Sequence, residues 1–402
     1  MNNLTRALRN TYLSDRPEEL EQLQFRPQAG SGLSQTALDE IPRYLFRVVS
    51  PHSVGETNKT WVRSESALRN ERSSMEDIFL NLDTVKRTTI ARTLNLHLRW
   101  WPKGELRDNF VSWTSSLLFA IQYIYYRHLS PEDESSLEQI KLYIIDTTRL
   151  QYLRNETIQY FGEYLSQGSL KIEGKCEMIS AQSFFESDRL RRLQPHFLEF
   201  HDVPFSNGKP IWVKEVIRLH ETIWPFTDLP ILSSAEMADR LEAVKEIIQN
   251  LTPSWRYPLA IYLTALIGSI SIIEDKGAAI DNIFLSCFQS VFPHGGRQQG
   301  FRPSSFNIVA PETMPEMKQV KRLVREIQKY CALRQALDHV KVAEASIRNL
   351  HFDNVTSEDG RAFVVADPNE LLDRTGQTLL SRLRSVQMLC EEVTSAISLN
   401  SA

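Results

Sequence analysis

An α+β domain followed by an all-α domain is the fold class this chain predicts, and three observations carry it. Between residues 41 and 205, short β-branched and aromatic runs are interspersed with two helical runs. After Val203-Pro-Phe-Ser-Asn-Gly-Lys-Pro the strand signal fades. From about 206 to 402 the apolar residues recur mostly at helical spacing. Residues 1–40 form a polar leader with helical character, closed by the turn-forming Gln28-Ala-Gly-Ser-Gly-Leu-Ser stretch.

In the α+β part, strands are expected at 43–49, 110–114, 140–146, 169–172 and 176–180. Helices are expected at 84–98 and 116–128. The acidic loop Ser130-Pro-Glu-Asp-Glu-Ser-Ser leads from the second helix to the 140 strand. This order does not repeat a regular strand–helix–strand unit, so a mixed sheet is expected rather than a doubly wound one. In the helical part the runs are 211–222, 234–250, 254–274, 280–291, 314–339 and 368–398. Ser233-Ser-Ala-Glu236 has the spacing of a capping box, in which hydroxyl and carboxylate each accept from a free N–H of the first turn.

Composition excludes several classes. The 402 residues are 42% hydrophobic and 24% charged, as in ordinary globular proteins, and allow two or three cores. A net charge of −4 gives no global attraction to nucleic acid or anionic lipid, so any basic surface must be local. Cys176, Cys287, Cys331 and Cys390 form neither Cys-x-x-Cys nor zinc spacing, which fits a reducing, cytoplasmic compartment. The nine histidines show no paired ligand spacing, so no metal is expected. The start of the chain lacks the blocks of a signal peptide, and the apolar run at 258–273 is too short and interrupted to span a membrane. No Gly-x-Gly-x-x-Gly or Walker loop occurs.

The most informative segment is Val111-Ser-Trp-Thr-Ser-Ser-Leu-Leu-Phe. It reads as a strand whose end carries hydroxyls straight into an apolar helix. Free N–H groups at a helix start point outward, and hydroxyls there can donate, accept or attack. Ser112, Thr114 and Ser115 are therefore candidate catalytic residues, with Trp113 and Ser116 as substrate-binding ones. An ordinary N-cap explains the same pattern. Arg47 lies inside the apolar run Tyr44-Leu-Phe-Arg-Val-Val, where a guanidinium needs an anionic or carbonyl partner, structural or from a ligand. Glu163, ahead of the turn at Gly168, is a further candidate.

Two basic features follow. Gly295, Gly296 and Gly300 with Arg297 and Arg302 make a cationic loop that could cover a site or simply connect two helices. In the helix 314–339, Lys318, Lys321, Arg322, Arg325 and Lys329 share one face, opposite Val320, Leu323, Val324, Ile327 and Tyr330. Five cations on an acidic protein suggest a phosphate-backbone footprint, the alternative being a solvated face.

The order of an Arg in Pro42-Arg-Tyr-Leu-Phe-Arg47, a hydroxyl-rich strand in Ser112-Trp-Thr-Ser115 and a Glu in Gly162-Glu163 resembles the ADP-ribosyltransferase triad. That resemblance implies an ADP-ribosyltransferase-like sheet with NAD as cofactor. Arg47 would then hold its phosphate, the hydroxyls would shape the nicotinamide pocket, and Glu163 would stabilise the oxocarbenium. The motif departs from the family's Ser-Thr-Ser, and Phe161 stands where its Glu-x-Glu begins. The chain also resembles the fungal arginine-containing cyclodipeptide synthases, through its basic helix and large helical half rather than a diagnostic motif. This second resemblance implies an aminoacyltransferase of secondary metabolism that uses arginyl-tRNA and a second aminoacyl-tRNA and needs no cofactor. A hydroxyl of 112–116 would accept the aminoacyl group, Glu163 would hold an amine or guanidinium, and Lys318, Lys321, Arg322, Arg325 and Lys329 would hold the tRNA. The cyclodipeptide reading is the leading one, with the NAD enzyme second and a non-catalytic interaction protein third.

Overall fold

The strand β1, Tyr44–Val49, is buried over most of its length because Leu45, Phe46 and Val48 offer apolar surface to both faces. It lies in the middle of a six-stranded sheet, in the computed structural model of the chain, which describes residues 22–27, 41–99, 109–148, 152–154, 162–225, 231–268, 271–272 and 314–331, with single positions at 150, 288, 290–292 and between 381 and 391. The other strands of this sheet are β4 (Phe110–Thr114), β5 (Lys141–Asp146), β6 (Leu153–Arg154), β7 (Glu163–Gln167) and β9 (Cys176–Ser180), in the order β6-β7-β4-β1-β5-β9. Every neighbouring pair is antiparallel. A three-stranded sheet of β2 (Glu56–Thr57), β3 (Trp61–Arg63) and β8 (Ser169–Lys171) accompanies it. The α+β expectation thus holds as a mixed structure with antiparallel sheets and several helices.

Alternation along the strands decides what lies on each face. Leu45, Val111, Trp113, Ile145 and Tyr164 pack with Val62, Leu170 and Ile172 of the smaller sheet and its exit, making one core between the two sheets. On the other face Phe110 and Leu165 pack with Phe25 and Ile78 and with Ile90, Leu94 and Leu98 of the helix α2, Thr84–Arg99. The helix α3, Leu117–Leu129, follows β4 directly and is buried from Leu117 to Gln122. Its Phe119, Tyr123 and Tyr126 ring-pack on Trp212, which opens the helix α6, Trp212–Ile223. Three shorter helices are α1 (Glu65–Leu68), ahead of α2, and α4 (Gln182–Phe185) and α5 (Arg189–Leu193), between α3 and α6.

The helix α7, Ser234–Ile248, carries the expected capping box, with Ser233 Oγ accepting from Glu236 N and the Glu236 carboxylate accepting from Ser233 N. The helix α8, Pro253–Ala265, ends nine residues short of the predicted 274. At Gly268 the backbone turns left-handed, φ +93, and a Cβ there would lie 2.5 Å from Ile223. The helix α9 occupies 315–331. The leader, the Arg297–Arg302 loop, most of the 280–291 and 368–398 runs, and the end of the basic helix after 331 lie outside the described residues. One compact unit spans Met1–Arg322 and a second spans Leu323–Ala402. The first takes in both sheets and helices α1 to α8, so the change of composition after 205 falls inside it.

Strand β7 is the longest of the strands in these sheets that the sequence pattern missed, β2, β3 and β6 being the others. Its Glu163-Tyr-Leu-Ser-Gln167 run is wholly buried, although it begins and ends on polar residues. Gln167 accepts from Ile78 N and donates to Asp77 Oδ1 and Gln24 O. Those partners come from distant segments, so no local pattern announces them.

Cys176, at the start of β9, gives a prediction of its own. Burial first, then the nearby Glu177, pushes its thiol up to about 11. Its Sγ–H donates to Lys59 O at 3.3 Å. At pH 8 its alkylation by iodoacetamide, followed by peptide mass mapping, should be on the order of 100-fold slower than in the unfolded chain. The raised pKa also has a sign. Its contribution to stability is full below the unfolded value of 9.0 and is lost as pH rises towards about 11.

Candidate functional site

Residues of β4 divide by parity. Phe110, Ser112 and Thr114 share a face with Leu165 and Glu163, because Ser112 pairs Leu165 and Thr114 pairs Glu163 across the β4–β7 ladder. Val111 and Trp113 point the other way. Trp113 is fully buried, edge-on to Tyr152 at 5.7 Å, and its Nε1–H donates to Ser166 Oγ at 3.0 Å. The structure therefore places Trp113 in the core between the sheets, not beside the hydroxyls, which corrects its expected role as a substrate contact.

Ser112 is the hydroxyl with a chemically suggestive environment. Its Oγ–H donates to Glu163 Oε1 at 2.7 Å, a diagonal cross-strand contact. His97 Nε2 lies 2.6 Å from the same oxygen and comes from the last turn of α2, where its ring packs edge-on to Phe110. Ser112 is half-buried, while Glu163 is 1% exposed. A buried carboxylate needs donors, and Ser112 supplies one. The result is a chain His97–Ser112–Glu163 assembled from a helix and two adjacent strands.

Arg47 joins this group through the backbone. Strand β1 meets β4 at a single register pair, Phe46 with Thr114. The guanidinium reaches the Ser112 carbonyl, Nη1–H donating at 2.9 Å, and its Nε–H donates to Thr57 Oγ1 at 3.1 Å. Of the partners the sequence left open for Arg47, the structure supplies a carbonyl. By alternation Arg47 belongs to the face of Leu45, so it reaches Ser112 through the main chain rather than the hydroxyl.

Thr114, Ser115 and Ser116 lie deeper and have different surroundings. Thr114 Oγ1 accepts from Ser116 N at 3.0 Å, forming a local turn into α3. Ser116 Oγ accepts from Phe119 N at 3.0 Å as the N-cap of α3. It donates to Glu316 Oε1 at 2.5 Å, and Glu316 Oε2 lies 2.8 Å from His220 Nε2. Ser115 N donates to Gly162 O at 2.9 Å, extending the ladder one step, and Ser115 Oγ is buried with no hydrogen-bond partner among the described residues. The expected four-hydroxyl centre thus resolves into Ser112 with His97 and Glu163, and Ser116 with Glu316 and His220.

Sequence reasoning missed His97, His220, Glu316 and Gly162. The histidines carry no spacing signal because their partners are a serine and a carboxylate from other elements. Gly162 is required by the close approach of two segments. Its φ is +60, and a Cβ would lie 2.2 Å from Ser115 Oγ and 2.8 Å from Met314 Cε. Gly162→Ala should therefore lower stability by roughly 1–3 kcal/mol, measured by urea denaturation, since both the left-handed backbone and the packing oppose a side chain. A midpoint equal to wild type would show that the turn has room to shift.

Of the basic face, Lys318, Arg322 and Arg325 are exposed, and Lys321 and Lys329 are half-buried. Lys329 Nζ is paired with Glu326 at 2.8 Å. On the same helix, buried Glu316 faces inward. Among the described residues, no group of three His, Cys, Asp or Glu could hold a metal ion, and no helix is long and apolar enough to cross a membrane.

Residues 40–185 match a family model described as a domain of unknown function (DUF7587). The match includes both sheets, α2 and α3, and with them Arg47, His97, Ser112 and Glu163. No curated protein and no solved structure matches the chain.

Proposed function

We propose that the chain is an acyl-transfer enzyme using aminoacyl-tRNA, arginyl-tRNA among its substrates, to form an arginine-containing cyclodipeptide. The observation that supports this reading is the hydroxyl of Ser112, held 2.6 Å from His97 Nε2 and 2.7 Å from Glu163 Oε1. A serine with an imidazole in reach is a nucleophile with its base. The Ser112 hydroxyl turns from Glu163 to the unprotonated Nε2 of His97, Oγ attacks the aminoacyl ester carbonyl as its proton passes to that nitrogen, and His97 returns the proton to the terminal ribose oxygen of the tRNA as it leaves. The α-amine of the serine ester then attacks the second aminoacyl ester and displaces the second tRNA. The newly linked residue's amine finally attacks the serine ester, which closes the ring and returns Ser112. Glu163 holds the incoming amine or guanidinium, for which a carboxylate shielded from water is well suited. Arg47 fixes the main chain of Ser112.

A second reading rests on a separate observation. Arg47, Ser112 and Glu163 lie on β1, β4 and β7, three strands in succession across the sheet. That order of strands is what supports the ADP-ribosyltransferase-like alternative, with NAD as substrate and Glu163 opposite the developing oxocarbenium, while Arg47 projects from the other face of the sheet. One experiment separates the two. Extracts of a host expressing wild type or Ser112→Ala are searched by mass spectrometry for a cyclo-Arg-Xaa mass, and purified protein is assayed for nicotinamide release from NAD. A serine-dependent cyclodipeptide supports the first reading and nicotinamide release the second. Neither product in either assay removes both and leaves the non-catalytic alternative.

The exposed cations give a further test of the tRNA reading. Lys318→Glu with Arg322→Glu should weaken tRNA binding and flatten its salt dependence. The log–log slope should fall by roughly 0.7 to 0.9 for each phosphate that the variant no longer neutralises. Superimposable curves for variant and wild type would exclude this face from RNA binding.

A further inference from the structure

A cleft of about 420 Å³ opens at the end of the sheet away from the Ser112 hydroxyl, where β1 begins, β5 ends and the β8–β9 turn meets the start of α8. It is lined by Arg43, Tyr44, Asp146, Thr148, Gly174, Lys175, Ser254 and Trp255. Its size lies in the range of small-molecule sites. None of these residues takes part in the His97–Ser112–Glu163 group.

The lining has an aromatic wall and a charged one. Tyr44 and Trp255 meet edge-on, with ring centroids 5.9 Å apart and planes at 70°. Tyr44 is 4% exposed, whereas Trp255 is only partly buried. The partly buried indole lines the cleft, where it can meet a flat ring. The Arg43 guanidinium lies 5.3 Å from the Tyr44 ring centroid. Its Nε–H and Nη2–H both donate to Asp146 Oδ2, at 3.2 and 3.0 Å. Asp146 Oδ1 accepts from Thr148 N at 3.0 Å and from Thr148 Oγ1 at 2.5 Å. The carboxylate in the cleft is therefore matched by its own donors.

Among the lining residues the charge left over is that of Lys175. Lys175 is half-buried, and among the described residues its ammonium has no partner. Beside it Gly174 has open space where a side chain would be. The start of α8 is already met by a carboxylate, since Glu177 Oε2 accepts from Thr252 N at 3.2 Å and from Thr252 Oγ1 at 2.6 Å, so contact to an anion in the cleft falls to the Lys175 ammonium and the exposed Ser254 hydroxyl.

We propose that this cleft binds a nucleotide, with the base against Trp255 and the phosphate at Lys175 and Ser254. A stacking face and a cation at one small opening match a ring linked to a phosphate, and neither feature alone accounts for the other. The nucleotide can come from a free mononucleotide or from a single-stranded RNA end, since both present the same base and phosphate. The inference does not rest on the Ser112 reading, and Ser112→Ala should leave it unchanged.

The test is isothermal titration of the full chain with AMP, adenosine, inorganic phosphate and a four-nucleotide oligoadenylate. AMP should bind, with adenosine and phosphate each at least about tenfold weaker, because each lacks one of the two contacts. Trp255→Leu and Lys175→Glu should each weaken AMP roughly tenfold without changing the circular dichroism. Should Trp255→Leu disturb the fold, Ser254→Glu replaces it and should weaken AMP by placing a carboxylate at the phosphate end. Oligoadenylate tighter than AMP by tenfold or more, with the same weakening in the variants, identifies an RNA end as the source; equal or weaker binding identifies a free nucleotide. No binding of AMP or oligoadenylate at about millimolar concentration, or folded variants that bind like wild type, would overturn the proposal.

Discussion

Ser112→Ala should abolish product formation, lowering the rate on the order of 10³-fold or more, because it removes the nucleophile itself. The fold should survive. Ser112 is half-buried on an internal strand, and alanine keeps the backbone carbonyl that Arg47 holds. The variant lacks the donor to Glu163 and the partner of His97. Removing the donor to a buried carboxylate costs about 1–3 kcal/mol, a stability change that a denaturant melt resolves from inactivity. Glu163→Gln serves as the companion. In the acyl-transfer reading it should weaken the amine-bearing substrate while the first acylation of Ser112, seen as an added mass on the intact protein, persists. In the NAD reading Glu163→Gln should be the more damaging of the two. Ser112→Ala with wild-type turnover would remove Ser112 from the chemistry in the first reading.

Glu316→Ala should produce the largest loss of stability among these variants, about 3 kcal/mol, or roughly 5–10 °C in the melting temperature by circular dichroism. The carboxylate is 1% exposed and links two elements that are far apart in sequence, Ser116 at the start of α3 and His220 in α6. Truncation leaves a buried hydroxyl proton and a half-buried imidazole without their common acceptor. Glu316→Gln keeps an acceptor for Ser116 and should recover part of the loss. A melt within about 1 °C of wild type for the alanine variant would show that this carboxylate contributes little. The comparison also separates the two serines, since Glu316 supports the turn into α3 whereas Ser112 lies at the proposed chemistry.

Much of the candidate site was legible as residue types. Arg47 stood out because a guanidinium inside an apolar strand must be partnered, and it is. The hydroxyl run stood out because strand-to-helix turns expose polar groups, and Ser112 and Ser116 both donate to carboxylates. Strand parity was less legible. The same alternation that puts Ser112 towards Glu163 puts Trp113 in the core, and a segment read as one cluster hides that separation. His97 and His220 were invisible as partners because each acts alone, and the residues they meet are supplied by the fold.

By itself, the sequence determined the strands 110–114 and 176–180, the helix starts at 84 and 234, the capping box at Ser233 and Glu236, and the concentration of cations on one face of the helix after 314. These are local matters, settled by side-chain period, capping chemistry and chain stiffness within a few residues. Only the tertiary structure decided that β7 is a strand, that Glu163 meets Ser112, that His97 comes from the far side of an intervening segment, and that Glu316 is buried against Ser116 and His220. Each of these brings a polar group to partners inside the fold, and Glu163 and Glu316 lie where water is excluded. Such a placement is stable when partners arrive from elsewhere in the chain, and the identity of those partners follows from strand order and register rather than from any neighbouring residue.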